Sequence, residues 1–478
     1  MSRFETVIGI EVHVELSTNT KMFCGCSNRF GAPPNTNTCP VCLGLPGSLP
    51  VVNEQAVRDA MKIGIALNCE VARSCLFHRK NYFYPDMPKD FQISQYDEPI
   101  CFGGYLDVEG GRVGITRAHM EEDTGKSTHI GEGGRIHDAT HSLIDYNRAG
   151  VPLIEIVSEP DITGPAHARA YATELRNVLR SLSVSDVKME EGSMRCDANI
   201  SLREPGGEFG TKVEIKNMNS LRSLQKALEY EEARQAELLE SGKSVTQETR
   251  HWNEADGETH SMRSKEEAFD YRYFPEPDLV PQAPPLSLIE EIRSSMPELP
   301  ASRRARLAED WALTDQQIFT LTSVDGLLDL VSDAVERGTD PVTATNWATG
   351  DVLAKLKTDG VDADQSGLNG HKLADLCELV ANGTLSTKLA KQVLITVMET
   401  GKGPGEVVEE EGLAQVSDES ELAAIAEKIV NDNPGEAERY RAGEEKLLGF
   451  FVGQAMKATR GKGNPQALNE LFRSKLSE

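Results

Sequence analysis

The chain has 478 residues, 39% apolar and 26% charged, a length for roughly two to four domains and a composition that suits neither a disordered nor a membrane-embedded chain. Its net charge of −26, from 50 basic against 76 acidic residues, opposes loose attraction to polyanions, so any nucleic-acid contact must come from local basic patches. Nine cysteines, an odd number, behind an N-terminus without an apolar leader argue against a disulfide framework and predict the cytoplasm, and no apolar run is long enough to cross a membrane.

The first informative segment is Ile8-Gly9-Ile10-Glu11-Val12-His13-Val14-Glu15-Leu16. Strict alternation predicts a strand with Ile10, Val12, Val14 and Leu16 on one side and Glu11, His13 and Glu15 on the other. Two carboxylates flanking an imidazole at fixed spacing suit a hard cation, although a merely solvated strand face shows the same alternation. Next, Cys24-Gly25-Cys26 and Cys39-Pro40-Val41-Cys42, twelve residues apart, give the two close pairs of a structural zinc site; buried unligated thiols are the other reading. The remaining cysteines, Cys69, Cys75, Cys101, Cys196 and Cys377, stand alone and read as small core residues.

Arg79 to Lys89 interleaves three cations with Tyr82, Phe83 and Tyr84, a pattern that can stack a base and bind phosphates, or simply plug a core edge. His119-Met120-Glu121-Glu122-Asp123-Thr124-Gly125-Lys126-Ser127 ends like a phosphate-binding loop, but position 120 lacks the required glycine. Its acids read as metal ligands or as an exposed acidic turn. Alternation recurs at Arg195, Asp197, Asn199 and Ser201 and again at Lys212, Glu214 and Lys216, so adjacent strands would present cation ligands beside phosphate-binding groups.

Helical periodicity covers 166–183 and 220–241, the latter opened by a serine cap, and the rest of the first 275 residues reads as strand-like. Five prolines between Pro275 and Pro285 predict a linker, followed by a helical bundle near 300–309, 315–322, 325–336, 340–356, 372–380 and 387–400, with Gly338, Gly360, Gly383 and Gly401 as stop signals. Gly401-Lys402-Gly403-Pro404-Gly405 predicts a second linker before a last helical segment.

Together, these stretches resemble the B-subunit (GatB) family of the tRNA-dependent aspartyl/glutamyl-tRNA amidotransferases. The resemblance is carried by residues 8–13, 79–88, 92–96, 119–126, Asp145 to Pro160, Ser185 to Ser193, 195–201 and Tyr271-Arg272-Tyr273-Phe274-Pro275-Glu276-Pro277. It implies an α+β chain: an antiparallel-sheet cradle of glutamine-synthetase-like fold over 1–292 with a zinc-binding insertion at 24–42, an all-α domain over 293–403 and a small all-α tail over 404–478 that binds tRNA. It further implies that ATP phosphorylates the side-chain carboxylate of Glu-tRNA(Gln) or Asp-tRNA(Asn), and that ammonia then displaces phosphate.

By the same resemblance, Glu11, His13, Glu121, Glu122 and Asp197 form the Mg²⁺ set, and Cys24, Cys26, Cys39 and Cys42 hold structural Zn²⁺. Lys89, Lys212, Lys216, Arg79 and Lys80 join the chemistry, with Lys89 at the mouth through which ammonia arrives. Arg79, Lys80, Tyr82, Lys126, Asn147 and Arg148 surround ATP. No amidase or cysteine glutaminase motif is recognisable, so ammonia is expected from an amidase A subunit, with a small C subunit at the A–B contact. A non-catalytic tRNA-binding scaffold is the competing reading, and a free-standing ligase acting on a small carboxylate a further one.

Residues 446–475 hold Lys446, Lys457, Arg460, Lys462, Arg473 and Lys475 against the single acid Glu470, a local exception to the acidic total. Lys457, Arg460 and Lys462 are therefore the candidate tRNA contacts, with ordinary solvated helix faces as the alternative. Deleting residues 406–478 is expected to weaken use of aminoacyl-tRNA in a salt-dependent way while sparing metal binding by the first domain; an unchanged KM for the tRNA would contradict this.

Overall fold

The computed structural model describes residues 3–130, 139–264, 271–324, 326–361, 363–413, 419–459 and 465–477. Arg460 and Lys462 lie outside the described residues. The chain divides into two compact units, Met1–Pro300 and Ala301–Glu478. No helix among the described residues is long and apolar enough to cross a membrane.

The first unit contains β1 (Glu5–Glu15), β2 (Glu70–Val71), β3 (Phe77–Asn81), β4 (Phe91–Gln95), β5 (Cys101–Val108), β6 (Gly111–Glu122), β7 (Lys126–Ile130), β8 (His141–Asp145), β9 (Pro152–Ser158), β10 (Met194–Arg203), β11 (Val213–Met218), β12 (Glu248–Asn253), β13 (Glu258–Ser264) and β14 (Phe274–Pro275). Twelve of these form one sheet in the order β13-β12-β11-β10-β1-β9-β6-β4-β3-β14, with β5 on β6 and β2 on β5, while β7 and β8 pair separately. Pairing is antiparallel except between β11 and β12, which run parallel. A parallel pair needs a crossover, and helix Leu221–Glu240 supplies it.

Four helices build the core against one face of this sheet: α1 (Glu54–Ala66), α2 (Pro165–Ser181), α3 (Leu221–Glu240) and α4 (Leu286–Ser294). Ile10, Val12 and Val14 of β1, Ile154 and Ile156 of β9, and Ala198 and Ile200 of β10 bury there with Ile63, Tyr171, Leu175, Leu224 and Ile289 of the helices. The period-2 pattern of the strands therefore assigns every second side chain to the opposite, polar face. The cap expected at Ser220 is present, its hydroxyl accepting from the Ser223 amide at 3.0 Å.

Two expectations need correcting. Residues 54–66 are helical and not strand-like: Asn53 caps the first turn, and Ala56, Ala60 and Ile63 recur at helical spacing. The proline-rich stretch is no free linker either. Phe274–Pro275 pairs with β3, Cys75 and Gln282 form a bridge, Glu276 is buried, and Ile289 and Ile292 of α4 enter the first core. An edge strand tolerates proline because its outward N–H has no ladder partner to lose. The first compact unit thus runs to Pro300, beyond α4.

The second unit is helical with two cores, one gathering Leu307 to Leu413 and the other Leu422 to Leu476. The four glycines that read as stop signals, Gly338, Gly360, Gly383 and Gly401, all have positive φ. All nine cysteines are free thiols, and the five isolated ones are buried.

Close packing of the first unit's edge gives a stability test. A Cβ at Gly104 would lie 2.4 Å from the Leu67 carbonyl oxygen and 2.4 Å from the Cys69 Sγ. Gly104→Ala should cost about 1–3 kcal/mol through enforced backbone movement, read as a lower denaturant midpoint at unchanged m-value; an unshifted midpoint would contradict the packing.

Candidate functional site

The polar face is assembled by register. Across β1 and β10, Glu11 lies opposite Asp197 and His13 opposite Arg195. On the other side of β1, His13 lies opposite Glu155 of β9, which in turn lies opposite His119 of β6. The His13 Nε2 is 3.4 Å from Glu155 Oε2 and 3.7 Å from Glu121 Oε1, and His119 Nε2 reaches the same Glu155 oxygen at 3.3 Å. Ligand atoms of His13, Glu121 and Glu155 all fall within 4.8 Å of one another.

Electrostatics around this group are tense. Burial pushes the Glu11 carboxyl up, and Glu155, Asp197 and Glu214 push it further. Burial opposes the charged form of His13, yet the hydrogen bond to Glu155 and the charges of Glu121, Glu155 and Asp197 outweigh it and hold the imidazole up at about 9. Burial likewise penalises the Glu155 charge, but His119 and His13 hold that carboxyl well below the usual range. Two lysines border the group. Lys216 donates to Asp197 Oδ2 at 2.7 Å and lies 3.3 Å from Glu214, and Lys80 sits among Glu121, Glu155, Tyr271 and Tyr273, whose charges outweigh its burial and raise its pKa.

Alternation separates neighbouring residues across the sheet. Glu122, beside Glu121, lies on the core side, where it pairs with Lys89, accepts from the Ile93 amide at 2.9 Å and lines a cavity of about 210 Å³ with Lys21, Phe23 and Cys42. It is therefore outside the His13–Glu121–Glu155 group, contrary to its expected place among the cation ligands. Arg79, beside Lys80, also lines that cavity, its guanidinium donating to both carboxylate oxygens of buried Glu276 at 2.8 and 2.9 Å. So it is a partner of Glu276 on the far side, and not a neighbour of Lys80's group.

A third region lies at the end of β1. Burial and Asp123 push Glu15 up to about 8, while Arg195 and Arg148 overcome burial to hold Asp123 below its ordinary value. Arg148 also donates to the carbonyls of Thr124 and Gly125, both at 3.0 Å. Asn147 donates to Pro33 O at 2.7 Å and accepts from the Asn37 amide at 2.7 Å, so both ends of its amide hold the 33–37 loop. With exposed Lys126 these two residues line a cleft of about 490 Å³. Tyr82 stacks on Tyr84 with centroids 5.5 Å apart, Lys212 is exposed just before β11, and Lys457 is exposed on helix Leu448–Ala458.

The four sulfurs of Cys24, Cys26, Cys39 and Cys42 lie within 4.8 Å of one another. A hydrogen bond from Cys24 pulls the Cys42 thiol down to about 5, as expected where four thiols crowd and one ionises first. Gly150, at φ 88°, closes against this cluster: a Cβ there would lie 3.6 Å from Cys42 Cβ and 3.8 Å from Glu122 Oε2.

Sequence reasoning brought together Glu11, His13, Glu121 and Asp197 but assigned no role to Glu155, His119, Tyr96, Tyr271 or Tyr273. A signal for Glu155 existed: it is the sole charge in the apolar run Pro152 to Val157, and a buried charge needs a partner.

Residues 6–290 match the family described as GatB/GatE catalytic domain, and residues 329–476 match one described as GatB domain. Curated relatives include the aspartyl/glutamyl-tRNA(Asn/Gln) amidotransferase subunits B of Frankia casuarinae, 52% identical over all of this chain and 96% of the relative, and of Carboxydothermus hydrogenoformans, 51% identical over the whole of both. That of Persephonella marina is 50% identical over 99% of each chain. The chain belongs to the GatB family of amidotransferase B subunits.

Proposed function

We propose that this chain, within an amidotransferase complex, converts Glu-tRNA(Gln) or Asp-tRNA(Asn) to the amidated form, activating the side-chain carboxylate with ATP and receiving ammonia from a glutaminase A subunit held with a small C subunit. The observation that carries the reading is the His13–Glu121–Glu155 group on the polar face, bordered by Lys80 and Lys216. A carboxylate oxygen is a poor leaving group, so a phosphoryl group must first be attached; ammonia then attacks the carbonyl carbon and inorganic phosphate departs. Phosphoryl transfer asks mainly for positioning and charge neutralisation.

One imidazole nitrogen and two carboxylate oxygens within 4.8 Å suit a divalent cation, and the surplus of buried negative charge around Glu11 favours one. Such a cation, Mg²⁺ in this reading, would neutralise phosphoryl oxygens when bound. Asp197, held by Lys216, and Glu11, holding the Asn199 amide at 3.2 Å, bound the site on the β10 side. Lys80 is placed to meet phosphate or the developing charge on the reacting carboxyl, whereas Lys212 and Lys126 would act at its margins.

On the core side, Lys89 and Glu122 form a buried pair beside the 210 Å³ cavity, which we assign to the arrival of ammonia. The sulfur set suits Zn²⁺ in a closed, structural site that props the wall of this cavity, since Cys24 and Cys42 line it. The tail carries tRNA through Lys457, Arg460 and Lys462.

The test uses the chain co-expressed with A and C subunits, acting on Glu-tRNA(Gln). Glu121→Ala should lower both tRNA-dependent ATP cleavage and amide formation from ammonium chloride by roughly 100-fold or more. Lys89→Met should keep that ATP cleavage but lose glutamine-dependent amide formation. If Glu121→Ala leaves both activities intact, the polar face is not the reaction centre.

Cation binding also gains a pH dependence. A cation at His13 must displace a proton held up to about 9, so the proton competes below that pH. Apparent affinity for Mn²⁺, followed by calorimetry in the full complex, should rise from pH 7 to about 9 and level off above it. His13→Asn should flatten the rise.

A further inference from the structure

One cluster on the polar side belongs neither to the cation group nor to the ammonia cavity. Tyr96 follows β4 and Tyr273 precedes β14, and their rings stack in parallel, with centroids 4.2 Å apart and an interplanar angle of 7°. Tyr271 meets Tyr273 edge-on at 6.0 Å, and the Lys80 ammonium lies 5.0 Å from the Tyr271 ring centroid. Tyr96 is 48% exposed, so one part of its ring is open to a ligand. Besides stacking on Tyr273, it lines a recess of about 470 Å³ with Phe102, Arg117, Asp97 and Glu98.

Two connections tie this recess to the reaction group. Arg117 donates through Nε to His119 Nδ1 at 3.3 Å, and His119 Nε2 reaches Glu155 at 3.3 Å. Next to the stack, the Lys80 ammonium that lies 5.0 Å from the Tyr271 centroid is also held charged by the carboxylates of Glu121 and Glu155. A flat aromatic surface with one cation beside it is a means by which proteins hold unpaired bases, and the carboxylates of Asp97, which also faces His78 Nε2 at 3.3 Å, and Glu98 can accept from a base's N–H donors, the exocyclic amine of adenine or cytosine among them.

We propose that Tyr96, backed by Tyr273, is the platform on which the unpaired terminal base of the aminoacylated RNA stacks, an amino-bearing base such as adenine or cytosine. Stacking there sets the distance from the terminal ribose to Glu121 and Glu155, so Tyr96 and Tyr273 are positioning residues and do not touch the reacting atoms. The proposal rests on the function assigned above and adds the residues that seat the RNA end.

The experiment uses the three-subunit complex and Glu-tRNA(Gln) carrying 2-aminopurine as its terminal base. Binding to wild type should quench the 2-aminopurine fluorescence, and Tyr96→Ala should abolish the quench. With unlabelled tRNA, Tyr96→Ala and Tyr273→Ala should raise KM for the tRNA on the order of tenfold while leaving KM for ATP in place, and Tyr96→Phe should restore it. A wild-type complex that amidates from ammonium but shows no quench overturns the platform alone, as do alanine variants with unchanged KM for the tRNA or with equal losses toward tRNA and ATP. A wild-type complex that forms no amide overturns the functional reading itself.

Discussion

The polar face of the sheet depends on the antiparallel register of β1 between β9 and β10. That register faces Glu11 with Asp197 and His13 with both Arg195 and Glu155, concentrating carboxylates where a sheet would ordinarily disperse them. Like charges at this spacing are costly, and the fold offsets the cost with two imidazoles on Glu155, buried His119 and half-buried His13, and a lysine on Asp197.

The sheet also acts as a partition. Glu121 and Glu122 are adjacent in sequence and serve different compartments, the first on the polar face and the second against Lys89 in the cavity behind it. Lys80 and Arg79 divide in the same way. One strand therefore contributes to the polar group and to the cavity on opposite sides, with only its own thickness between them. Gly150 adds a further link: its φ of 88°, a conformation that favours glycine, turns the chain between the cysteine loop and Glu122.

Much of this was legible in the sequence because strand alternation is a rigid rule. The face holding Glu11, His13, Asp197 and Lys216 follows from it directly, and the helical stops at Gly360 and Gly401 follow from glycine's access to positive φ. Alternation could also have separated Glu121 from Glu122, had it been applied to the acidic run as strictly as to β1. Lateral neighbours were not legible: nothing local states that β9 lies beside β1, so the partnership of Glu155 with two histidines needs the folded register. The proline-rich stretch misled for a related reason, since composition reports that a segment cannot hold a central strand but not that an edge awaits it.

That edge has a consequence for how the chain comes into being. Arg79 and Glu276 are 197 residues apart, and β3 meets β14 only after everything between them has been made. A ribosome adds roughly 5–20 residues per second, so for about 10 seconds or more the nascent sheet has an open margin and an arginine without its carboxylate. Loops of such length are slow to close. The newborn chain therefore leaves one wall of the cavity behind the sheet open, with Arg79 unpaired, until this margin is sealed.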